Sequence, residues 1–194
     1  METRNIIISG VGGQGIITAS EILSEVALFN GFDVKKSEVH GMSQRGGSVV
    51  SHVRFGEKVY SPLIEKGTCD VILAFEKAEA LRWVHYLKPG EGIVIVNDLE
   101  IIPNMVSLGL DTYPENIEDT LKRDASKVFI MHGIEIAKNA GDPRTANTAL
   151  LGALSNYLPF SEESWIEVIK RRVKPETIEA NLKAFRMGRE RGRD

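Results

Sequence analysis

Gly10-Val11-Gly12-Gly13-Gln14-Gly15 matches G-x-G-x-x-G between an apolar run, Ile6-Ile7-Ile8, and a stretch of helical periodicity. That strand–turn–helix setting is the one in which the pattern binds anions. Glycines let the backbone turn tightly and come close to a ligand. A helix N-terminus offers free N–H groups at the positive end of its dipole. Gly10, Gly12, Gly13, Gln14 and Gly15 are therefore candidate contacts for a phosphate, pyrophosphate or carboxylate. The same glycines also suit plain close packing of the first helix on the first strand, and both uses stay open.

A second segment, Ser37 to Ser48, sets Glu38, His40, Ser43, Gln44 and Arg45 among Gly41, Gly46 and Gly47. It leaves the C-terminal end of the second strand, on the sheet edge that carries the first loop. In open parallel sheets that edge is where ligands bind. Ser43, Gln44, Arg45 and Gly46 join the candidate set, and Arg45 suits a charge-assisted, bidentate contact with phosphate or carboxylate. The two loops are expected to face one site or one partner surface.

Several chemistries are disfavoured. Gly15 is followed by Ile16 and Ile17, where a P-loop needs Lys and then Ser or Thr. Glu38 stands about 20 residues beyond Gly15, where a dinucleotide fold holds a ribose, so a stand-alone NAD(P)-binding Rossmann oxidoreductase is one reading. The second glycine loop is not required by that reading. His40, His52, His85 and His132 show no zinc-binding spacing. The single cysteine, Cys69, can form no internal disulfide and can hold no iron–sulfur cluster. It precedes the apolar run Val71 to Phe75 and reads as a small buried residue rather than a nucleophile. Trp83 and Trp165 read as core or interface residues. No catalytic residue and no metal ligand is assigned to the chain.

The elements that position these loops alternate. Strands are expected over 5–9, 32–38, 48–55, 70–75, 92–97, 109–112 and 127–131, and helices over 14–29, 76–87 and 115–125. Runs such as Ile93 to Val96 are apolar throughout and suit central strands covered on both faces. Residues 48–60 alternate and then turn at Gly56-Glu57 into Lys58-Val59-Tyr60, which reads as an antiparallel hairpin. From about 133 the chain reads as helix. Gly141, Asp142 and Pro143 close one helix and start the next, and Ser161 starts another. Gly152 among small residues suits close helix packing. The expected fold is α/β: a three-layer α/β/α, Rossmann-like, mostly parallel sheet with an antiparallel hairpin edge and a helical C-terminal third.

The chain has 194 residues, 42% hydrophobic and 26% charged, which fits one domain over 1–194. A net charge of -3 argues against a nucleic-acid partner. No apolar run approaches the ~20 residues of a membrane span. The chain enters a strand-like run at once with no signal-like segment, so a cytoplasmic location is expected.

The paired loops carry a resemblance. The first loop, followed by Gly41-Met42-Ser43-Gln44-Arg45-Gly46-Gly47, resembles the gamma-type domain of 2-oxoacid:ferredoxin oxidoreductases. The longer stretch from Ser37 to Arg54 is similar to the small subunit of the indolepyruvate type. The likeness runs on through Tyr60 to Ile64, Asp70 to Glu76, Asn147, Leu151 to Leu154 and Asn181 to Gly188, which is nearly the whole chain. It implies a complex that oxidatively decarboxylates a 2-oxoacid, an aryl pyruvate for this type. Coenzyme A takes the acyl group and ferredoxin takes the electrons. It further implies that thiamine diphosphate, Mg²⁺ and iron–sulfur clusters sit in a larger partner subunit. This chain would then bind no cofactor alone and would be inactive alone, with its glycine loops helping to form the site at the subunit interface. A gamma subunit of a pyruvate or 2-oxoglutarate enzyme is the neighbouring alternative.

Overall fold

The computed structural model describes residues 2–41 and 46–193. Strand β1 (Arg4–Val11) carries Ile6, Ile7 and Ile8, each fully buried. Successive strand side chains point to opposite faces, so three buried in a row require cover on both. β1 accordingly lies inside a six-stranded sheet of order β2-β3-β1-β4-β5-β6. The others are β2 (Asp33–His40), β3 (Ser48–Gly56), β4 (Val71–Ala74), β5 (Ile93–Asn97) and β6 (Lys127–Met131). β1, β4, β5 and β6 pair in parallel, whereas β3 is antiparallel to both β1 and β2.

Helices cover the two faces. On one side lie α1 (Ile16–Phe29), α5 (Gly133–Ala140), α6 (Ala146–Leu154), α7 (Glu162–Arg172) and α8 (Ile178–Arg191), over a core that includes Ile8, Phe55, Trp165 and Phe185. On the other lie α2 (Lys77–Trp83) and α4 (Ile117–Asp124), over Ile7, Ile72, Val94 and Leu121. A short helix, α3 (Asn104–Ser107), lies in the connection from β5 to α4. The α/β class, the three layers and the helical last third agree with the sequence.

Two expectations fail. Lys58-Val59-Tyr60 form no strand: the Val59 N–H donates to the Asp33 carboxylate at 2.9 Å, and the hairpin partner of β3 is β2. The antiparallel edge is thus β2–β3, with residues 37–40 of the second glycine segment in β2 and Ser48 opening β3. Residues 109–112 form no strand either. Gly109, at φ +70, donates to the Val106 carbonyl and ends α3, and β6 already occupies that side of β5.

Helix ends follow the local chemistry. Gly141 closes α5 at φ 111, Asp142 accepts from the Arg144 N–H, and Ser161 caps α7 through the Ser164 N–H. The closest packing is between α6 and α8. A Cβ built on Gly188 would fall on the Ala149 carbonyl oxygen and lie 2.7 Å from its carbon. One on Gly152 would meet the Phe185 carbonyl oxygen and lie 2.8 Å from the Arg189 nitrogen. The helices therefore touch backbone to backbone.

Candidate functional site

The first loop is fixed by one side chain. The Gln14 amide oxygen accepts the Val11 N–H at 2.7 Å, and its nitrogen donates to the Phe75 carbonyl at 3.0 Å. Gln14 thereby ties the turn after β1 to the end of β4. A Cβ on Gly10 would come 2.7 Å from that amide oxygen and 2.9 Å from the Phe75 Cβ. Gly13 and Gly15 turn the chain at φ +104 and +86, and Gly15 sits under the Asn147 side chain.

The two loops meet. Gly12 N–H donates to the Gly47 carbonyl at 2.8 Å, and Gly46 N–H reaches the Gly12 carbonyl at 3.5 Å. Gly10, Gly12, Gly13, Gln14, Gly15 and Gly46 thus share one sheet edge. Ser43, Gln44 and Arg45 lie outside the described residues. α1 starts at Gly15 with no side-chain cap and no acid in its first turn. Its amide end opens on a cavity of about 440 Å³ lined by Gly12, Gly13, Gly15, Ile16, His40 and Val49. Open amides beside a pocket with no carboxylate among its described lining residues suit an anion with an apolar arm.

Glu38 does not serve the dinucleotide reading. Its carboxylate accepts from Ser20 Oγ at 3.0 Å and from Lys36 Nζ at 2.7 Å. Moreover β3 lies between β1 and β2, so Glu38 stands two strand spacings from the glycine turn, about 10 Å.

His52 and Arg54, in the same stretch of sequence, act elsewhere. Arg54 Nη1 donates to the Ser61 and Leu63 carbonyls at 2.9 and 3.0 Å, and the Ile64 N–H donates to His52 Nδ1 at 3.1 Å. Together they hold the segment 61–64 against the sheet. Burial holds the His52 pKa below its ordinary 6.5. The neutral ring therefore contributes stability in full above about pH 6.5, and that part is lost as pH falls below it toward the folded value. Urea midpoints at about pH 7.5 and about pH 5 will show a drop that His52→Asn reduces. An equal drop in the variant would place the titration elsewhere.

The sequence reading missed a second polar site at the ends of β4 and β5. Glu76, 1% exposed, accepts the Glu79 N–H at 2.8 Å, the Ile101 N–H at 3.2 Å and the Tyr113 hydroxyl. Nearby, Lys77 Nζ lies 2.5 Å from Asp98 and 3.2 Å from Glu100, and His132 Nδ1 lies 3.2 Å from Asp98. The Lys77 ammonium, with His132 behind it, lowers the Asp98 pKa, and Asp98 first and Glu100 second raise that of Lys77. Lys77, Asp98, Glu100, Tyr113 and His132 line a cleft of about 1020 Å³. An acid at the start of a helix signals a cap, and nothing local announces partners at 101 and 113. Among the described residues no group of His, Cys, Asp and Glu is placed to hold a metal ion, and Cys69 is buried with its pKa pushed up by desolvation.

Relatives agree with this architecture. The chain is 47% identical over 193 residues to indolepyruvate oxidoreductase subunit IorB of Thermococcus kodakarensis, covering 97% of this chain and 95% of that one. It is 30% identical over 186 residues to ketoisovalerate oxidoreductase subunit VorA of Methanothermobacter marburgensis. There the match covers 93% of this chain but 35% of a longer one. The gamma subunit of a keto/oxoacid ferredoxin oxidoreductase from Geobacter sulfurreducens superposes with a TM-score of 0.72 at 27% identity. That superposition covers 97% of this chain and 98% of the other. The pyruvate ferredoxin/flavodoxin oxidoreductase pattern matches residues 5–191, and the chain belongs to that family.

Proposed function

We propose that the chain is the small subunit of an indolepyruvate-type 2-oxoacid:ferredoxin oxidoreductase and works in a cytoplasmic complex with a larger subunit. The observation that carries this is the 47% identity to an indolepyruvate oxidoreductase subunit over nearly the whole chain. The complex converts an aryl pyruvate and coenzyme A to the acyl-CoA and CO₂. Two electrons pass to two oxidised ferredoxins and one proton is released. Thiamine diphosphate with Mg²⁺ and the iron–sulfur clusters, held by the larger subunit, supply the carbanion and electron-transfer chemistry.

The role of this chain is to bind and orient. The amide end of α1 and the turn at Gly13 offer donors to the phosphates of coenzyme A, with Arg45 as their charge partner. The apolar wall of Ile16 and Val49 suits the arm of that molecule. Gln14 holds the turn in shape by its two hydrogen bonds.

The test is anaerobic copurification, followed by viologen reduction with indolepyruvate, pyruvate and 2-oxoglutarate in turn. The expected result is a complex with a thiamine- and cluster-bearing subunit, turning over indolepyruvate fastest. In that complex Arg45→Ala raises the KM for coenzyme A roughly tenfold, the scale of one lost charge-assisted contact. A chain that purifies alone, or a complex that prefers pyruvate, overturns the assignment. An unchanged KM overturns the role of Arg45.

A further inference from the structure

The connection from β5 to α4 is pinned near both ends by one buried carboxylate. Glu76 accepts the Ile101 N–H at 3.2 Å and the Tyr113 hydroxyl, so the chain between them is held as a fixed strap across the edge of the sheet. Its outer side is apolar. Ile102, Met105, Leu108 and Leu110 are 48%, 53%, 70% and 68% exposed. Met105 on α3 and Leu108, which caps its C-terminus, stand three apart and point to the same side. A lone protein rarely leaves so many large apolar side chains in one stretch in water. The cleft of about 1020 Å³ beside the strap has the opposite character. Asp98 and Glu100 share Lys77, Asp98 also meets His132, and Glu115 and Asp119 on its rim have no ion-pair partner among the described residues. An apolar strip thus runs beside a cleft of net negative charge.

We infer that this strap and cleft form the docking surface for the larger subunit, whose matching face is an apolar strip bordered by lysine or arginine. The inference rests on the proposed place of the chain in a complex. Two observations choose this occupant over a second copy of the chain. Two copies meeting through this face would bring like-charged clefts together, which costs affinity. In VorA, a matching domain makes up 35% of a longer chain, so there it is covalently joined to a much larger body. Fixing the strap beforehand through Glu76 lowers the ordering cost of binding, and apolar anchors with a charged border are the usual division between affinity and steering.

The test compares subunit affinity for the wild-type chain, Leu108→Lys/Leu110→Lys and Glu115→Lys/Asp119→Lys, each with the unaltered larger subunit. The substituted side chains are exposed, so the apolar variant alone should melt as the wild type does, and the acidic one slightly lower because Asp119 lies in the first turn of α4. The apolar pair should weaken the complex about 30-fold or more, the scale of lost anchor residues. The acidic pair should weaken it about tenfold at low salt and less at high salt. Wild-type affinity in both variants overturns the inference and leaves the functional assignment standing. A wild-type chain that fails to bind removes both. Loss of self-association of this chain, with the complex intact, assigns the surface to a second copy and also overturns it.

Discussion

Gly188→Leu is expected to abolish the native fold, and Gly188→Ala to cost about 3 kcal/mol or more. Alanine is the better helix former by about 1 kcal/mol, so propensity alone predicts a gain. Geometry reverses the sign. The new methyl would sit on the Ala149 carbonyl oxygen of α6, and Gly152 brings the same two helices together from the other side. Neither group is the far end of a flexible side chain, so relief requires the helices to part. Parting them would open the core around Ala149, Ala153, Ala184 and Phe185, all fully buried. A domain with a net stability of 5–15 kcal/mol cannot absorb the larger side chain. Urea denaturation followed by circular dichroism measures this. A Gly188→Ala midpoint equal to that of the wild type would mean that the helices separate freely.

Glu76→Leu should be the second most damaging change, at about 3 kcal/mol or more. It leaves the Glu79 N–H, the Ile101 N–H and the Tyr113 hydroxyl without their acceptor at a site that is 1% exposed. Each unsatisfied buried donor costs about 1–3 kcal/mol, and the upper strap can recover part of this by reaching water. Glu76→Gln should fall between. It keeps one oxygen and sets an NH₂ group against backbone donors. Burial, the Glu76 hydrogen bond and its charge together push the Tyr113 pKa up. Hydrogen exchange at Ile101 should speed up in both variants, more in Glu76→Leu. Unchanged exchange there would show that the strap is held by other contacts.

The parts of the fold that were legible in the sequence are those set by local pattern. β1, β4 and β5 announced themselves because strands covered on both faces must be apolar at every position. The turn at Gly141-Asp142-Pro143 and the cap at Ser161 were legible because their partners lie within three residues. Gly152 signalled close packing, and α8 meets it there. The insertion of β3 between β1 and β2 was not legible, since strand order is decided by pairing between distant segments. Residues 109–112 contain Gly109 and Asp111, both poor strand formers, and Gly109 at φ +70 turns the chain out of α3 instead. At the candidate site, the meeting of the two glycine loops followed from their shared sheet edge. The tether from Gln14 to Phe75 spans 61 residues and leaves no local trace.

The central place of β1 also bears on synthesis at the ribosome. Ile6, Ile7 and Ile8 emerge early, yet their hydrogen-bonding neighbours are β3 and β4, which lie about 40 to 65 residues further along the chain. The helical layer over them is complete only when α8 reaches α6 at Gly188. An apolar strand must wait until β3, β4 and the helices α1 and α2 that pack on it have all emerged, which favours engagement by chaperones during translation and slower folding.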